Sequence, residues 1–572
     1  DGRIDNWEEL GRKLSGKGAL LRTRADAELV LRSFELWGRD CLRHCEGDFA
    51  FVIWDARRQA VFSARDRMGN KPLIWHWTGR TLYFASEQQA ILRQHSVPKA
   101  VNEDVLVEYL AAQWLSRTET LWQGIYRLEP AHTMEVTISG PAFSRYWSPD
   151  LEAFLSLGTD QKYIEHYRAL LFDLVRRLSR SHAPVAFEVS GGLDSSAIFA
   201  VADDLKRRRL LLAPEISGFT LDFRGNPDAD ETDYARAVGG HIGRSIHEVL
   251  PAYPSLSWYQ ETACHFMDLA GFPNGAMGQS ILREASEAGC RVLVNGVGGD
   301  QWLSGSEFSY ADALCCLPGR ELLELLGSDL RTIGIKGSLR RLLRFGVFPL
   351  LPEGTQKALR SAYAGLRRRT CSAEPEWLAG SMRTRFVERR EAFRQSSSKN
   401  RVRQLKQQQL TFLSDPYQQL ANEMNERLIA LAGLEMRQPF WNFRIVDFAL
   451  ATPARMRLRN GEDKWMHRRA MAGLMPQKVL QRSSKAEFST TFAHYWADLA
   501  PLLIERVVAR RQHWVDPQAI RQMFEVCQHP VMSNRTGMER WVLWALLGVD
   551  SAVGHEIEPP IGMRNPQTDT IG

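Results

Sequence analysis

A short run of glycine, serine and aspartate is the strongest candidate for chemistry in this sequence. It follows an apolar segment at 185–189 and opens a helical pattern, and its members are Ser190, Gly191, Gly192, Leu193, Asp194, Ser195 and Ser196. Glycines let backbone amides close around an anion, and the unpaired N–H groups of a helix's first turn attract negative charge. Because an aspartate here would repel phosphate, Asp194 predicts an intervening Mg²⁺. The alternative is a tight turn that only caps a helix.

A second glycine-rich loop follows another apolar segment. Residues 291–295 read as a strand, and the loop after it runs Asn-Gly-Val-Gly-Gly-Asp and ends at Asp300. Taken alone, such a loop is usually a plain turn. Loops at the carboxyl ends of parallel strands converge on one crevice, however. We therefore expect Asp300 to face Asp194 and to share its Mg²⁺.

The segments around both loops alternate between strand and helix patterns. Strand patterns at 185–189, 218–223, 246–250 and 291–295 are separated by helical patterns at 195–206, 232–242 and 279–288. This alternation predicts an α/β fold with a parallel sheet and helices on both faces. Before it, residues 1–145 read mostly as strands, at 49–54, 60–62, 73–77 and 82–85, with a helix at 26–37. Residues 305–550 read as mainly helical, and we predict a disordered tail at 555–572.

Composition and charge exclude several classes of protein. The chain has 572 residues, of which 44% are hydrophobic and 24% charged, as in a globular protein of two or more domains. No apolar stretch is long enough to span a membrane. Lys plus Arg number 73 against 67 Asp plus Glu, with the signs interspersed, so we expect no nucleic-acid partner. The eight cysteines form no C-x-x-C pair, which favours reduced thiols and a cytoplasmic location.

A basic, leucine-bearing segment at 319–370 stands out from this even distribution of charge. Its arginines cluster at 340–341, 344 and 367–369, and leucines accompany them at helical spacing. We interpret it as amphipathic helices with solvated basic faces. The alternative is a surface on which an acidic peptide or protein docks.

The sequence resembles the asparagine synthetase family, which includes the β-lactam synthetases and the lasso-peptide cyclases. The resemblance rests on motifs in family order, at 46–51, 64–73, 84–87, 190–196, 295–300, 434–440, 464–470 and 482–488. It implies a sheet-rich N-terminal domain over 1–150 that is Ntn-amidohydrolase-like (class II glutamine amidotransferase-like) and inactive. It also implies a synthetase domain over 151–554 with a doubly wound parallel sheet, of the adenine nucleotide α-hydrolase-like (PP-loop) type.

The resemblance also implies ATP and a two-step reaction. A carboxylate attacks the α-phosphate of ATP, which yields an acyl-adenylate and pyrophosphate, and an amine then displaces AMP to form an amide. Pyrophosphate binding falls to Ser190, Gly191, Gly192, Asp194, Ser195 and Ser196, with Mg²⁺ held by Asp194 and Asp300. Lys464 would neutralise phosphate charge, and Lys485 would stabilise the negative charge that develops as the amine attacks.

The sequence departs from the family pattern where the amine would be supplied. Glutamine-hydrolysing members use an N-terminal cysteine, and no cysteine precedes Cys41, so we expect tens of residues to be missing upstream of Asp1. Asp1, Gly2 and Asp26 read as the remnant of a glutamine site. Asp1 and Arg3 replace the family's Asn and Glu there, so the glutaminase is expected to be degenerate.

Two further departures concern the catalytic loop. Val297 stands where asparagine synthetases carry Glu and β-lactam synthetases carry Tyr, and Gln301 replaces the usual Glu after the metal aspartate. Valine cannot take a proton, so a general base must come from elsewhere. Together the departures favour a lasso-peptide macrolactam cyclase, with a precursor peptide as carboxylate substrate and a leader peptidase as partner. The alternatives are a glutamine-hydrolysing asparagine synthetase and an inactive scaffold that binds a peptide.

Overall fold

The computed structural model of the chain shows a sheet-rich N-terminal part followed by a parallel α/β part. It describes residues 1–226, 228–306, 309–315, 320–352, 354–356, 358–359, 375–396, 404–482, 486, 488, 490–528 and 534–554. Lys485, the arginines at 367–369 and the tail at 555–572 lie outside the described residues. No helix in the described part of the chain is both long and apolar enough to cross a membrane.

Two antiparallel sheets stack on each other in the N-terminal part. Their strands are β1 (Ala50–Asp55), β2 (Ala60–Arg65), β3 (Ile74–Trp77), β4 (Leu82–Ala85), β5 (Tyr126–Arg127), β6 (His132–Thr137) and β7 (Gly140–Arg145). One sheet has the order β1-β2-β6-β7 and the other β4-β3-β5. Apolar side chains from both sheets, such as Met134 and Trp75, meet in a shared core. The flanking helices are α1 (Trp7–Gly16), α2 (Asp26–Trp37), α3 (Gln88–Leu92) and α4 (Glu103–Leu110).

A five-stranded parallel sheet forms the centre of the second part. Its strands are β8 (Val185–Glu188), β9 (Ile216–Leu221), β10 (Ile246–Val249), β11 (Val292–Val294) and β12 (Glu435–Arg437). The order is β10-β9-β8-β11-β12 and every neighbouring pair is parallel. The chain thus winds outward from β8 to β10 and then crosses back to β11. This places a topological switch point between β8 and β11, which is where ligands bind in open α/β sheets.

Helices cover both faces of the parallel sheet and extend beyond it. They are α5 (Asp160–Leu178), α6 (Leu193–Arg207), α7 (Thr232–Ile242), α8 (Leu256–Phe266), α9 (Pro273–Ala276), α10 (Gln279–Glu287), α11 (Gly299–Leu303), α12 (Ser309–Cys315), α13 (Arg320–Thr332), α14 (Gly334–Arg341), α15 (Gly380–Ser396), α16 (Gln404–Ser414), α17 (Pro416–Leu431), α18 (Phe443–Ala451), α19 (Trp465–Ala470), α20 (Gln477–Leu480), α21 (Thr490–Ala493), α22 (Trp496–Leu502), α23 (Pro517–Gln528) and α24 (Asn534–Val553). Apolar residues of α5, α6 and α18 pack on one sheet face, and those of α10 and α17 on the other. The predicted fold class is therefore confirmed.

The prediction of a mainly helical segment after residue 305 overlooks three short strands. Besides β12, these are β13 (Leu458–Arg459) and β14 (Glu462–Asp463), which pair with each other. Strands of two or three residues are too short to show an alternating pattern. In the described part of the basic segment, α13 and α14 form as interpreted, but apolar side chains are solvated along with the arginines. Leu323 is 71% exposed and Leu339 55% exposed.

Buried ion pairs join the N-terminal sheets to α17. Glu423 accepts hydrogen bonds from Arg127 Nε at 2.7 Å and from Arg65 Nη2 at 3.2 Å, and all three side chains are buried. Burial alone raises the pKa of Glu423, but the charges of Arg127 and Arg65 outweigh it and lower the pKa to about 2. The carboxylate therefore stays ionised, and the two parts are held together by charge as well as by apolar packing.

Candidate active site

The loop after β8 is a tight backbone turn that ends in a helix. Gly191 has a φ of +71°, and a Cβ there would lie 2.9 Å from the backbone nitrogen of Ala235, so only glycine fits. The Ser190 and Ser195 hydroxyl oxygens are 2.9 Å apart, and the Gly192 N–H donates to Ser190 Oγ at 3.2 Å. Helix α6 begins directly afterwards, so the N–H groups of its first turn are available to an anion.

The loop after β11 lies against the first loop. A Cβ added to Gly296 would be 2.7 Å from the backbone nitrogen of Ser195, so the two backbones touch. Gly298 precedes α11, which carries Asp300 in its first turn. Both loops therefore meet at the switch point of the sheet, and each contributes one aspartate.

Lys464 links these two aspartates. Its Nζ donates to the Asp194 carboxylate and, at 2.7 Å, to Asp300 Oδ1. Burial alone would lower the pKa of Lys464, but the two carboxylates outweigh it and raise the pKa, so the lysine stays charged. Lys464 is the residue before α19 and has a φ of +54°. One cation thus pairs with two carboxylates that would otherwise repel each other, and the cluster keeps a net negative charge.

The same pair of carboxylates fits Mg²⁺. Proteins usually bind Mg²⁺ through one or two carboxylates together with substrate phosphates rather than through a full cage of side chains. Asp194 and Asp300 converge from the two loops to within reach of one Nζ atom, as such an ion would require. Among the described residues, no group of three or more His, Cys, Asp or Glu is arranged to hold a metal.

Two buried residues behind Asp194 were not predicted from the sequence. His467 Nδ1 is 2.7 Å from the Tyr167 hydroxyl, and His467 Nε2 lies 3.7 Å from Asp194 Oδ1. Burial, reinforced by the Lys464 charge, lowers the pKa of His467 to about 3, so the imidazole is neutral at neutral pH. The only sequence signal was that His467 lies in the 464–470 motif. His467 and Tyr167 thus form a buried polar pair next to the Asp194 carboxylate.

The segment that leads to Lys485 is fixed to the same site. Arg482 Nη2 contacts Glu231 Oε1 at 2.6 Å, and its guanidinium stacks 4.2 Å from the centre of the Tyr234 ring. The carbonyl of Arg482 accepts a hydrogen bond from Arg468 of α19 at 3.0 Å. These contacts also were not predicted. They hold the chain three residues before Lys485 beside Gly191, since Tyr234 packs against that glycine.

The predicted pyrophosphate-binding residues are not all equally accessible. Ser190, Gly192 and Ser195 surround the turn and are linked by hydrogen bonds. Ser196, by contrast, is fully buried within α6 at 0% exposure. Its hydroxyl therefore faces the protein interior, and its backbone N–H donates to the Gly192 carbonyl at 3.3 Å.

The predicted remnant of a glutamine site lies in the N-terminal part. Asp1, Gly2 and Asp26 line one groove beside β1. Asp26 forms an ion pair with Arg180. Arg3, which is 3% exposed, turns inward and pairs with three carboxylates, those of Asp5, Asp48 and Glu435, at 2.6–2.7 Å.

Two family models match this chain. The model described as asparagine synthase matches residues 166–552, and the model described as glutamine amidotransferase domain matches residues 1–147. The chain belongs to the asparagine synthase family. It is an ATP-dependent carbon–nitrogen ligase, related to the asparagine synthetases.

Several similar proteins share modest identity with this chain. "Asparagine synthetase [glutamine-hydrolyzing] 3" of Bacillus subtilis is 26% identical, over 86% of this chain and 76% of that protein. "Asparagine synthetase [glutamine-hydrolyzing] 1" of the same organism is 24% identical over the same shares. "Amidase chyE" of Penicillium rubens is 30% identical over 51% of this chain and 44% of that protein.

A solved structure is also similar to part of the chain. It is a glutamine phosphoribosylpyrophosphate amidotransferase from B. subtilis, with 15% identity over 52% of this chain and 59% of that one. The TM-score is 0.20. At that score the similarity adds nothing to the fold argument, which rests on the strand order and the family models.

Gly296→Ala is expected to weaken ATP binding at least tenfold, because the new methyl group would push the second loop away from Ser195. A displacement of about 1 Å at a reaction centre can cost on the order of 10²-fold in rate. Isothermal titration with ATP and Mg²⁺ measures the affinity. Gly240→Ala is the matched control, because a Cβ at Gly240 in α7 meets nothing within 4 Å. Equal affinities in both variants would contradict the packing of the two loops.

Proposed function

We propose that this ligase activates a carboxylate as its adenylate and then forms an amide, with release of AMP and pyrophosphate. One observation carries the proposal. Two glycine-rich loops meet at the switch point of the parallel sheet, and Lys464 holds together the aspartate that each supplies. The first turn of α6, where backbone N–H groups can bind an anion, lies beside the paired carboxylates. This arrangement suits a nucleoside triphosphate with its cation.

The predicted residues of the synthetase site other than Ser196 have roles in this scheme. The turn formed by Ser190, Gly191 and Gly192, with Ser195, would bind the pyrophosphate that leaves ATP. Asp194 and Asp300 would hold Mg²⁺, which supplies positive charge against the phosphates. Lys464 contacts both aspartates and would neutralise phosphate charge. Lys485 would contact the adenylate as the amine attacks.

The carboxylate best supported by the comparisons is aspartate. The relatives that match over most of the chain are named as glutamine-hydrolysing asparagine synthetases. We therefore propose asparagine formation as the first reaction to test, with residues 1–150 as the amidotransferase-like domain and 151–554 as the synthetase domain. The groove of Asp1, Gly2 and Asp26 lacks the family's Asn and Glu. Ammonium is therefore tested beside glutamine as the amine donor.

A second candidate is formation of a macrolactam from a precursor peptide. The observation that favours it is Arg3, which is buried among carboxylates at the position of a family glutamate that helps to bind glutamine. Val297, which has no acid–base function, replaces the residue that asparagine synthetases carry in the catalytic loop. An amine that is part of the substrate would need no glutamine. A leader peptidase would then be the expected partner.

ATP–pyrophosphate exchange tests asparagine formation and macrolactam formation in one assay. The protein is incubated with ATP, Mg²⁺ and labelled pyrophosphate, and with L-aspartate, L-glutamate or a peptide that has a free α-amine and an internal Asp. Exchange with aspartate, followed by asparagine formation with ammonium or glutamine, would support asparagine synthesis. If only the peptide supports exchange, and its product is lighter than the peptide by one water molecule, the result would support macrolactam formation. No exchange with any carboxylate would overturn the proposal and leave the inactive peptide-binding scaffold.

A further inference from the structure

Glu188 is an unusual residue at the carboxyl end of the central strand. It is the last residue of β8 and lies two positions before Ser190 of the first loop. Its side chain is half-buried, and none of the described residues gives that carboxylate a hydrogen bond or an ion pair. The other carboxylates placed in the crevice above, those of Asp194 and Asp300, are paired with a cation, Lys464. The roles proposed so far do not use Glu188.

The register of the sheet shows what surrounds Glu188. It pairs with Phe219 of β9, and Phe219 in turn pairs with His247 of β10. On the other side, Phe187 pairs with Val294, so the next residues along, Glu188 and Asn295, are neighbours. Side chains of paired neighbours point to the same face of a sheet. Glu188 therefore lies between an aromatic ring and an amide, on the face opposite the one that α6 covers.

Asn295 connects this row to the reaction centre. Its Oδ1 accepts a hydrogen bond from the Val297 backbone N–H at 3.2 Å, and the following residue is Gly296, which packs on Ser195. Glu188 and Asn295 thus lie at the base of the contact between the two loops. The Val297 side chain above them can neither give nor take a proton. Glu188 is the acid–base group that the sheet offers at this point.

We propose that Glu188 binds the attacking amine and accepts its proton as the amide forms. This inference rests on the adenylation proposed above and assigns the proton acceptor for its second step. An N–H group can donate to the Glu188 carboxylate and another to the Asn295 amide oxygen, while the Phe219 ring favours a neighbouring positive charge.

The step is balanced as follows. The neutral amine nitrogen attacks the acyl carbon, the new C–N bond forms, and the bond between that carbon and the AMP oxygen breaks. The surplus proton on nitrogen passes to the Glu188 carboxylate, and AMP leaves with the electron pair of the broken bond. Burial raises the pKa of Glu188 to about 7. A general base works best when its pKa is close to the working pH.

Glu188→Gln separates the two half-reactions. The substitution keeps shape and removes the proton acceptor. With the carboxylate that supports exchange in the unmodified protein, among L-aspartate, L-glutamate and the Asp-containing peptide, we expect pyrophosphate exchange within about threefold of the unmodified protein. Amide formation should fall by about 10²-fold or more, the size of a general-base contribution. Hydroxylamine, a nucleophile that is largely neutral at neutral pH, should restore much of the product as the hydroxamate.

Glu248→Gln is the matched control, because Glu248 lies on β10 of the same sheet and pairs with Arg236 at the surface. Amide formation within threefold in Glu188→Gln would overturn the inference. A parallel fall in exchange would also overturn it, because Glu188 would then act in adenylation. If the unmodified protein shows no exchange with any of the three carboxylates, the proposed function itself fails and this inference fails with it.

Discussion

Asp194→Asn is expected to lower ATP–pyrophosphate exchange by about 10³-fold, or about 4 kcal/mol of transition-state stabilisation. Asparagine has the same shape but cannot pair with Lys464 as an anion or hold a cation on the phosphates. Lys464 would be left with Asp300 alone, so the site would lose the excess negative charge that attracts a cation. The loss should fall on the rate of adenylate formation, because the charge matters most when pyrophosphate separates.

Exchange kinetics at saturating ATP measure this effect. Asp204→Asn is the matched control, since Asp204 lies near the other end of α6 and pairs with Arg208 at 2.8 Å. It should exchange at the rate of the unmodified protein. If Asp194→Asn keeps exchange within tenfold, the carboxylate at the start of α6 is not part of the nucleotide site. Circular dichroism and melting curves would establish that both variants are folded.

Lys485→Ala is expected to abolish amide formation while ATP still binds and pyrophosphate still exchanges. The reason is electrostatic, because the lysine would stabilise negative charge that exists only while the amine attacks the adenylate. Lys485 matches the family motif, and Arg482, three residues earlier, is fixed beside the first loop by Glu231 and Tyr234. We expect a loss of 10³-fold or more in amide formation, about 4 kcal/mol.

Product analysis with ATP, the accepted carboxylate and its amine checks this prediction. Lys206→Ala is a suitable control, because Lys206 is near the end of α6 and pairs with Glu215 at 3.5 Å. Hydroxylamine distinguishes Lys485 from Glu188. It should rescue Glu188→Gln, which lacks only a proton acceptor, and should not rescue Lys485→Ala, which lacks charge stabilisation. Normal amide formation in Lys485→Ala would show that the role was wrongly transferred from the family.

Much of the framework of the site could be predicted from the sequence. The strand before Ser190 and the strand before the second loop are short, mostly apolar segments, and the helix at 232–242 has the predicted bounds. Local patterns of this kind need no knowledge of distant contacts. The alternation of strand and helix patterns predicts the parallel sheet, and this sheet brings Asp194 and Asp300 to one edge.

The rest depends on contacts between residues far apart in the chain. β12 has three residues, two of them charged, so its place in the sheet comes from pairing with β11. Tyr167 reaches His467 across 300 positions, and no local pattern indicates that pair. Arg3 likewise pairs with Glu435, which lies 432 positions away in β12 of the parallel sheet. Buried polar networks of this kind are set by tertiary packing rather than by local sequence.

The most direct test of the central claim follows the oxygen atoms of the carboxylate. When a carboxylate attacks the α-phosphate and an amine then displaces AMP, one carboxylate oxygen ends on AMP. The substrate found in the exchange assay is prepared with both carboxylate oxygens as ¹⁸O, and the AMP is analysed by mass spectrometry. We predict one ¹⁸O in AMP for each amide formed. Label in inorganic phosphate with formation of ADP, or amide formed with unlabelled AMP, would contradict adenylation at this site.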